Sequence, residues 1–264
     1  RRFGKSHAAG MIDAYYSLGC DSTELFDGTK ISESADYKKY MNKYNVIHLD
    51  IASVWDFYKE DLVESIKERV CKDFKKKYND TLDYSQDLYL LIQEIYEITD
   101  TQFVIIIDEW DCVIRNSDNK ELVHEYLQFL HSLFKSEESK VFLALAYITG
   151  ILPIKKLKTQ SALNNFKQYT MLNPGPLAEY IGFTEEEVKK LCDRYERDFY
   201  KVKKWYDGYR LGKYHIYNPN AVVSLMMEGE FRSYWSETGS YRIIVPLINM
   251  DFDGLKSAII EMLA

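Results

Sequence analysis

The sequence predicts an α/β fold: a parallel sheet wrapped by helices, followed by a mainly helical appendage. Three observations carry this expectation. Strand-like and helix-like segments alternate between residues 45 and 148, the habit of a doubly wound sheet. An unbroken apolar run at 103–107, β-branched from Val104 onward, ends in the paired carboxylates Asp108 and Glu109. A helical pattern opens directly on Gly4-Lys5-Ser6.

Each element follows from local pattern. Ala8, Met11, Ile12 and Tyr15 keep the i, i+3, i+4, i+7 spacing of an amphipathic helix, expected to end near Gly19. A polar loop with a short helical stretch runs to Tyr44, and residues 45–51 read as a strand. Leu62, Ile66, Val70 and Phe74 mark one face of the next helix, whose other face carries Lys72, Lys75, Lys76 and Lys77, read as a solvated face. Leu88, Leu91, Ile92 and Ile95 mark another. The strand at 103–108 lacks polar alternation, so burial on both sheet faces is expected. Leu122, Tyr126, Leu127, Leu130 and Phe134 line a helix that leads to a strand at 141–148. Beyond Gly150 the pattern turns helical: Thr184 with Glu187 forms a capping box, Tyr214 to Tyr217 is a single short strand candidate, and Asn218-Pro219 opens a last helix. The expected division is a core over residues 1–160 and a helical subdomain over 161–264.

Composition bounds the function classes. A formal net charge of -7 excludes a surface built throughout to neutralise phosphates. Arg194, Arg197, Lys201, Lys203, Lys204 and Arg210 interleave with Tyr195, Tyr200, Trp205 and Tyr209, compatible with nucleic-acid contact. Packed aromatics with solvated lysines explain the same pattern and are the reading adopted. Apolar runs are far shorter than the roughly 20 residues of a membrane span, and no apolar leader is present, so a cytoplasmic protein with its native N-terminus upstream is expected. Cys20, Cys71, Cys112 and Cys192 show no metal-ligand or disulfide spacing. His124 and His131 lack a carboxylate at ligand spacing and are read as structural.

Gly4-Lys5-Ser6 at a helix start is the second half of a Walker A phosphate loop. Backbone N–H groups at the helix end cradle phosphates, the lysine reaches the outer phosphates, and the serine hydroxyl meets Mg²⁺. A tripeptide alone is common by chance. Asp108 at the end of a central strand supplies the second half of the argument, because open α/β sheets bind ligands at that end. There Asp108 is the candidate Mg²⁺ residue and Glu109 the candidate catalytic residue that polarises water. Thr149, just past the strand at 141–148, is a candidate γ-phosphate sensor or simply a turn residue before Gly150. In the additional-strand class of P-loop proteins, the sensor strand lies between the P-loop strand and the Walker B strand.

These motifs together resemble a known family. Arg-Arg-Phe-Gly-Lys-Ser at 1–6, Ile-Asp-Glu-Trp-Asp at 107–111, Thr-Gly-Ile-Leu at 149–152, Gly-Phe-Thr-Glu-Glu-Glu-Val at 182–188, Trp-Tyr-Asp-Gly-Tyr at 205–209, Tyr-Asn-Pro at 217–219 and Tyr-Trp-Ser-Glu-Thr at 234–238 occur in the order of the bacterial AAA-ATPase-like family. Trp110 stands where the family more often has Tyr, and the Arg-rich loop lacks the usual first glycine of Walker A. The resemblance implies a P-loop ATPase core with ATP and Mg²⁺ as ligands, held by Gly4, Lys5, Ser6 and Asp108, with Glu109 and Thr149 in catalysis. It also implies a protein partner or a fused nuclease domain outside this chain. The triplets Glu138-Ser-Lys140 and Glu187-Val-Lys189 lack a matching aspartate and do not make a nuclease themselves.

Two functions are expected: an ATP hydrolase coupled to a partner or effector domain, or a nucleotide-switched scaffold that binds ATP with little hydrolysis. Because residue 1 falls inside the phosphate loop, the N-terminal strand before it is missing. A sheet without that strand is expected to leave a vacant slot at its centre, between or beside the strands at 103–108 and 141–148, which an upstream segment fills.

Overall fold

The computed structural model describes residues 3–59, 61–79, 82–137, 139–152, 163, 165–234 and 260–261. Arg1, Arg2, Glu138 and the stretch 235–238 of the last family motif lie outside the described residues. The chain divides into two compact units, one formed by Lys5–Gln168 and the other by Arg1–Gly4 with Tyr169–Ala264.

In the first unit, α1 (Lys5–Tyr16) is followed by two single-turn helices, α2 (Thr23–Phe26) and α3 (Tyr37–Tyr40). Then come β1 (Asn45–Asp50), α4 (Ile51–Phe57), α5 (Leu62–Tyr78), α6 (Leu88–Thr99), β2 (Phe103–Asp108), α7 (Cys112–Asn116), α8 (Lys120–Lys135), α9 (Ser139–Phe142) and β3 (Leu143–Ile148). The sheet order is β1-β2-β3, all parallel, with Asp50 opposite Asp108 and Ile107 opposite Ile148. Every residue of β2 is buried, as its apolar run requires of a strand covered on both faces. Alternation sorts its side chains. Val104 and Ile106 pack with Ala9 and Ile12 of α1, while the ring of Phe103 meets Phe74 of α5 and Phe142 of α9 edge-on. Burying each such side chain contributes about 1.5–3 kcal/mol, so this three-layer packing is what fixes the C-terminal ends of the strands in space.

Three expectations are corrected. α1 stops at Tyr16 rather than near Gly19: the Ser17 hydroxyl donates to Asp13 Oδ1 at 2.7 Å, and Ser17 forms a bridge with Tyr44. The strand expected from residue 141 begins at Leu143, because Ser139 caps its own turn through Ser136 and starts the short helix α9. The slot expected between or beside these two strands does not lie between them, because β2 and β3 pair directly. Between them there is no room for another strand. Among the described residues β3 pairs with β2 alone, on one side, and Ala144 and Leu145 are exposed.

The second unit holds β4 (Phe183–Thr184), α10 (Glu185–Arg194), α11 (Phe199–Tyr206), β5 (Asp207–Leu211), β6 (Tyr214–Tyr217) and α12 (Pro219–Glu228). The capping box forms as expected, with the Thr184 hydroxyl accepting from Glu187 N–H and the Glu187 carboxylate accepting from Thr184 N–H. Where one strand was expected, three form an antiparallel sheet in the order β4-β6-β5. Residues 207–211 look like a turn by composition, but hairpin pairing with β6 extends them. The aromatics expected to pack are partly outward: Val202 and Tyr206 turn one face of α11 into the core, leaving Tyr200 83% and Trp205 43% exposed. Lys72, Lys75, Lys76 and Lys77 are exposed, as are His124 and His131. Among the described residues no helix is long and apolar enough to cross a membrane.

Candidate functional site

The site is built where β2 and β3 end. Asp108 is 4% exposed and Thr149 6%, one residue beyond β2's partner strand. Thr149 N–H donates to Ile107 O at 2.8 Å and Trp110 N–H to Thr149 O at 3.0 Å, so the ladder continues past both strands. On the α1 side of the sheet the Thr149 hydroxyl donates to Asp108 Oδ1, which also accepts Glu109 N–H at 3.0 Å. Both bonds fall on Oδ1, and Oδ2 takes no donor among the described residues.

The chain then reverses. Glu109 has φ 52°, a left-handed conformation that a residue with a side chain adopts only where the surroundings impose it. Its carbonyl accepts Cys112 N–H at 2.9 Å, the first turn of α7. Its carboxylate bridges two cations: Lys5 Nζ lies 3.6 Å from Oε1, and Arg115 Nη2 donates to Oε2 at 2.8 Å. Lys5 and Ser6 open α1, preceded by Gly4 at φ 82°, a conformation open to glycine. Ser6 is exposed. Lys5, Asp108, Glu109 and Thr149 are thus brought to one end of one sheet.

Two further residues complete the cluster. Asp111, fully buried, accepts Ile151 N–H at 3.1 Å and Leu152 N–H at 2.8 Å, and takes Arg115 Nε at 2.8 Å. It therefore ties the turn after β2 to the chain leaving β3. Trp110, 2% exposed, accepts the Tyr126 hydroxyl on its carbonyl at 2.8 Å, and burial pushes the Tyr126 phenol well above its ordinary value. A Cβ at Gly150 would stand 2.5 Å from Asp111 Oδ1 and from Trp110 Cδ1, so only glycine fits between them. Asp111 stands within the Ile-Asp-Glu-Trp-Asp motif, which gives it no role, and Arg115 stands in none of the motifs. The signal was the i, i+4 spacing of Asp111 and Arg115 across one helical turn.

Alongside, His48 Nδ1 of β1 lies 3.0 Å from Asp13 Oδ2 of α1. The Asp13 hydrogen bond raises the His48 pKa above its ordinary 6.5 against the opposing effect of burial, with Asp108 and Asp50 adding to the rise. The same bond holds Asp13 below its usual range. In the other unit, Glu185, Asp207 and His215 lie close enough to share a metal ion. Lys203 and Lys189 already contact Glu185 at 2.6 and 2.9 Å, holding its carboxyl down to about 2.

The donor set suits a hard cation: Asp108 Oδ2, which takes no donor among the described residues, and the exposed hydroxyl of Ser6 in the first turn of α1. An uncharacterized protein in the vnfD 5' region of Azotobacter chroococcum mcd 1 is 23% identical over 266 residues, covering 94% of this chain and 48% of that protein. The chain thus spans about half the length of this relative. No solved structure matches. A family profile described as predicted AAA-ATPase matches residues 1–159, more than half of the chain, and this chain belongs to that AAA-ATPase-like family.

Proposed function

We propose that the protein binds Mg-ATP and hydrolyses it, coupling turnover to a partner or to an effector domain outside this chain. The observation that carries the reading is the approach of Lys5 Nζ to Glu109 Oε1, 3.6 Å, beside an Asp108 carboxylate steadied by Thr149. A lysine at a helix N-terminus with two carboxylates at the adjoining strand end is what phosphoryl transfer needs: a cation for the outer phosphates, an anion for the metal, and a base for water. Gly4, Lys5 and Ser6 would hold the phosphates. Ser6 and Asp108 would hold Mg²⁺, which offsets phosphate charge when bound. In the reaction the water oxygen bonds to the γ-phosphorus and its proton passes to Glu109. The bond from that phosphorus to the bridging oxygen breaks, its electron pair leaving with ADP. Thr149 holds Asp108 in the present arrangement and senses the γ-phosphate when nucleotide enters.

A specific observation favours a second reading. Glu109 is engaged by two cations at once, an arrangement also suited to a scaffold that binds ATP with little hydrolysis. Phosphate release by the intact protein and by Glu109→Gln separates them. A hydrolase loses about 10²- to 10⁴-fold in kcat while still binding ATP. Turnover indifferent to Glu109→Gln overturns the hydrolytic reading, and tight ATP binding with no turnover in the wild type supports the scaffold.

A further inference from the structure

We infer that Arg115 is the positioning residue of this site, anchoring one oxygen of Glu109 so that the other is presented to water. The inference rests on the hydrolytic reading above and names a part of the machinery that the sequence motifs do not contain.

The side chain of Arg115 is 9% exposed and makes two charge-assisted hydrogen bonds of 2.8 Å, one to Glu109 Oε2 and one to Asp111 Oδ2. Asp111 is itself immobilised, because it is fully buried and accepts the backbone N–H groups of Ile151 and Leu152. The guanidinium is therefore a planar strut whose far end is fixed to the exit of β3 and whose near end is fixed to the glutamate. Only arginine presents donors in such a fork; an ammonium meets one partner well. The backbone of Glu109 is also pinned, by its N–H to Asp108 and its carbonyl to Cys112. What remains free in Glu109 is the side-chain torsions, and those are governed by Lys5 on Oε1 and Arg115 on Oε2.

The two cations are not equivalent. Lys5 stands 3.6 Å away, beyond ordinary hydrogen-bond length, and belongs to the phosphate loop. Phosphate oxygens draw its ammonium away, releasing Oε1. Arg115 has no such competitor, being tied to Asp111, so Oε2 stays in place. Binding of ATP then converts a carboxylate bridged by two cations into one held at one oxygen and open at the other. A carboxylate held this way spends its time aimed at water rather than sampling rotamers, and a misplacement of about 1 Å costs roughly 10²-fold in rate.

The test is steady-state ATP hydrolysis and equilibrium ATP binding by the full-length protein, its Arg115→Ala and Arg115→Lys variants, and Glu109→Gln. Arg115→Ala is expected to lower kcat by about 10- to 100-fold with KM and ATP affinity within about twofold of wild type. Millimolar guanidinium added to Arg115→Ala is expected to recover part of the lost kcat, and Arg115→Lys to fall between the two. Should Arg115→Ala fail to fold, Arg115→Lys carries the test, since it keeps the charge and loses the fork. Wild-type kcat in a folded Arg115→Lys or Arg115→Ala protein overturns the inference. So does a parallel loss of kcat and ATP affinity that guanidinium does not relieve, which marks a structural role. Hydrolysis that depends on Glu109 but not on Arg115 removes this inference alone, whereas no turnover in the wild type, or turnover indifferent to Glu109→Gln, removes the hydrolytic reading and this inference with it.

Discussion

Gly150 does not have a left-handed backbone, so its requirement for glycine is one of space. Any Cβ meets Asp111 Oδ1 and Trp110 Cδ1 at 2.5 Å, and neither neighbour is the loose end of a flexible chain. Asp111 is held by two backbone amides and Arg115, and Trp110 is buried with its carbonyl accepting the Tyr126 hydroxyl. Gly150→Ala is therefore expected to lower stability by about 1–3 kcal/mol, the usual effect of overpacking a rigid site. Urea unfolding checks it, and an unchanged midpoint would show that the turn can yield. At this scale the sequence was informative about residues that carry a motif. Lys5, Asp108, Glu109 and Thr149 could be named because each type has a chemical reason to sit at a strand end or helix start. Arg115 could not, because its role depends on the turn after β2 bringing it back over Glu109, and Glu109 at φ 52° is a conformation that no composition announces.

Elements were legible where one face decides them. α5, α6, α8 and α10 follow apolar spacing and capping, and β2 follows its unbroken β-branched run. β5 and the start of β3 were hidden, because pairing overrode turn-rich residues in one case and a serine turn delayed the strand in the other. The contact between α1 and β1 also has a polar part, the Asp13–His48 pair, with side chains 36% and 27% exposed. The sign of its pH dependence follows from the shifts. His48 is raised above 6.5, so its contribution is complete below that value and fades as pH rises through the raised one. Asp13 is lowered from 3.8, so its contribution is present above that value and lost as pH falls through the lowered one. The difference in melting temperature between wild type and His48→Gln is expected to be largest between the ordinary pKa values of the two groups, about 4 and about 6.5, and to shrink as pH rises into the alkaline range. A difference that stays constant from acid to alkaline pH would remove the ion pair from the account.

For the whole molecule, the sequence conveyed that a parallel core precedes a different kind of unit, but sheet order is set by pairing partners far apart in the chain. The direct pairing of β2 with β3 could not be read from either strand alone. The division has a measurable consequence for ligand binding. Lys5, Ser6, Asp108, Glu109 and Thr149 all belong to the unit formed by Lys5–Gln168, so nucleotide is expected to stabilise the unfolding transition of that unit. Trp55 and Trp110, 8% and 2% exposed, lie within it and report on it once Trp205 and Trp235 are replaced by phenylalanine. A ligand present at about 100 times its Kd adds about 2.7 kcal/mol to a state that alone can bind it. With Mg-ATP at that excess, the fluorescence melt of the Trp205→Phe, Trp235→Phe protein is expected to move upward by several degrees, about 2–4 °C per kcal/mol for a unit of this size. Adding Lys5→Ala should abolish the shift while leaving the nucleotide-free melt in place, because Lys5 is partly exposed and approaches Glu109 only to 3.6 Å. An equal shift in the Lys5→Ala protein would place the nucleotide elsewhere. A Lys5→Ala melt that drops without nucleotide would mean that the Lys5–Glu109 contact supports the fold itself, and would reduce the lysine to a structural partner of the carboxylate.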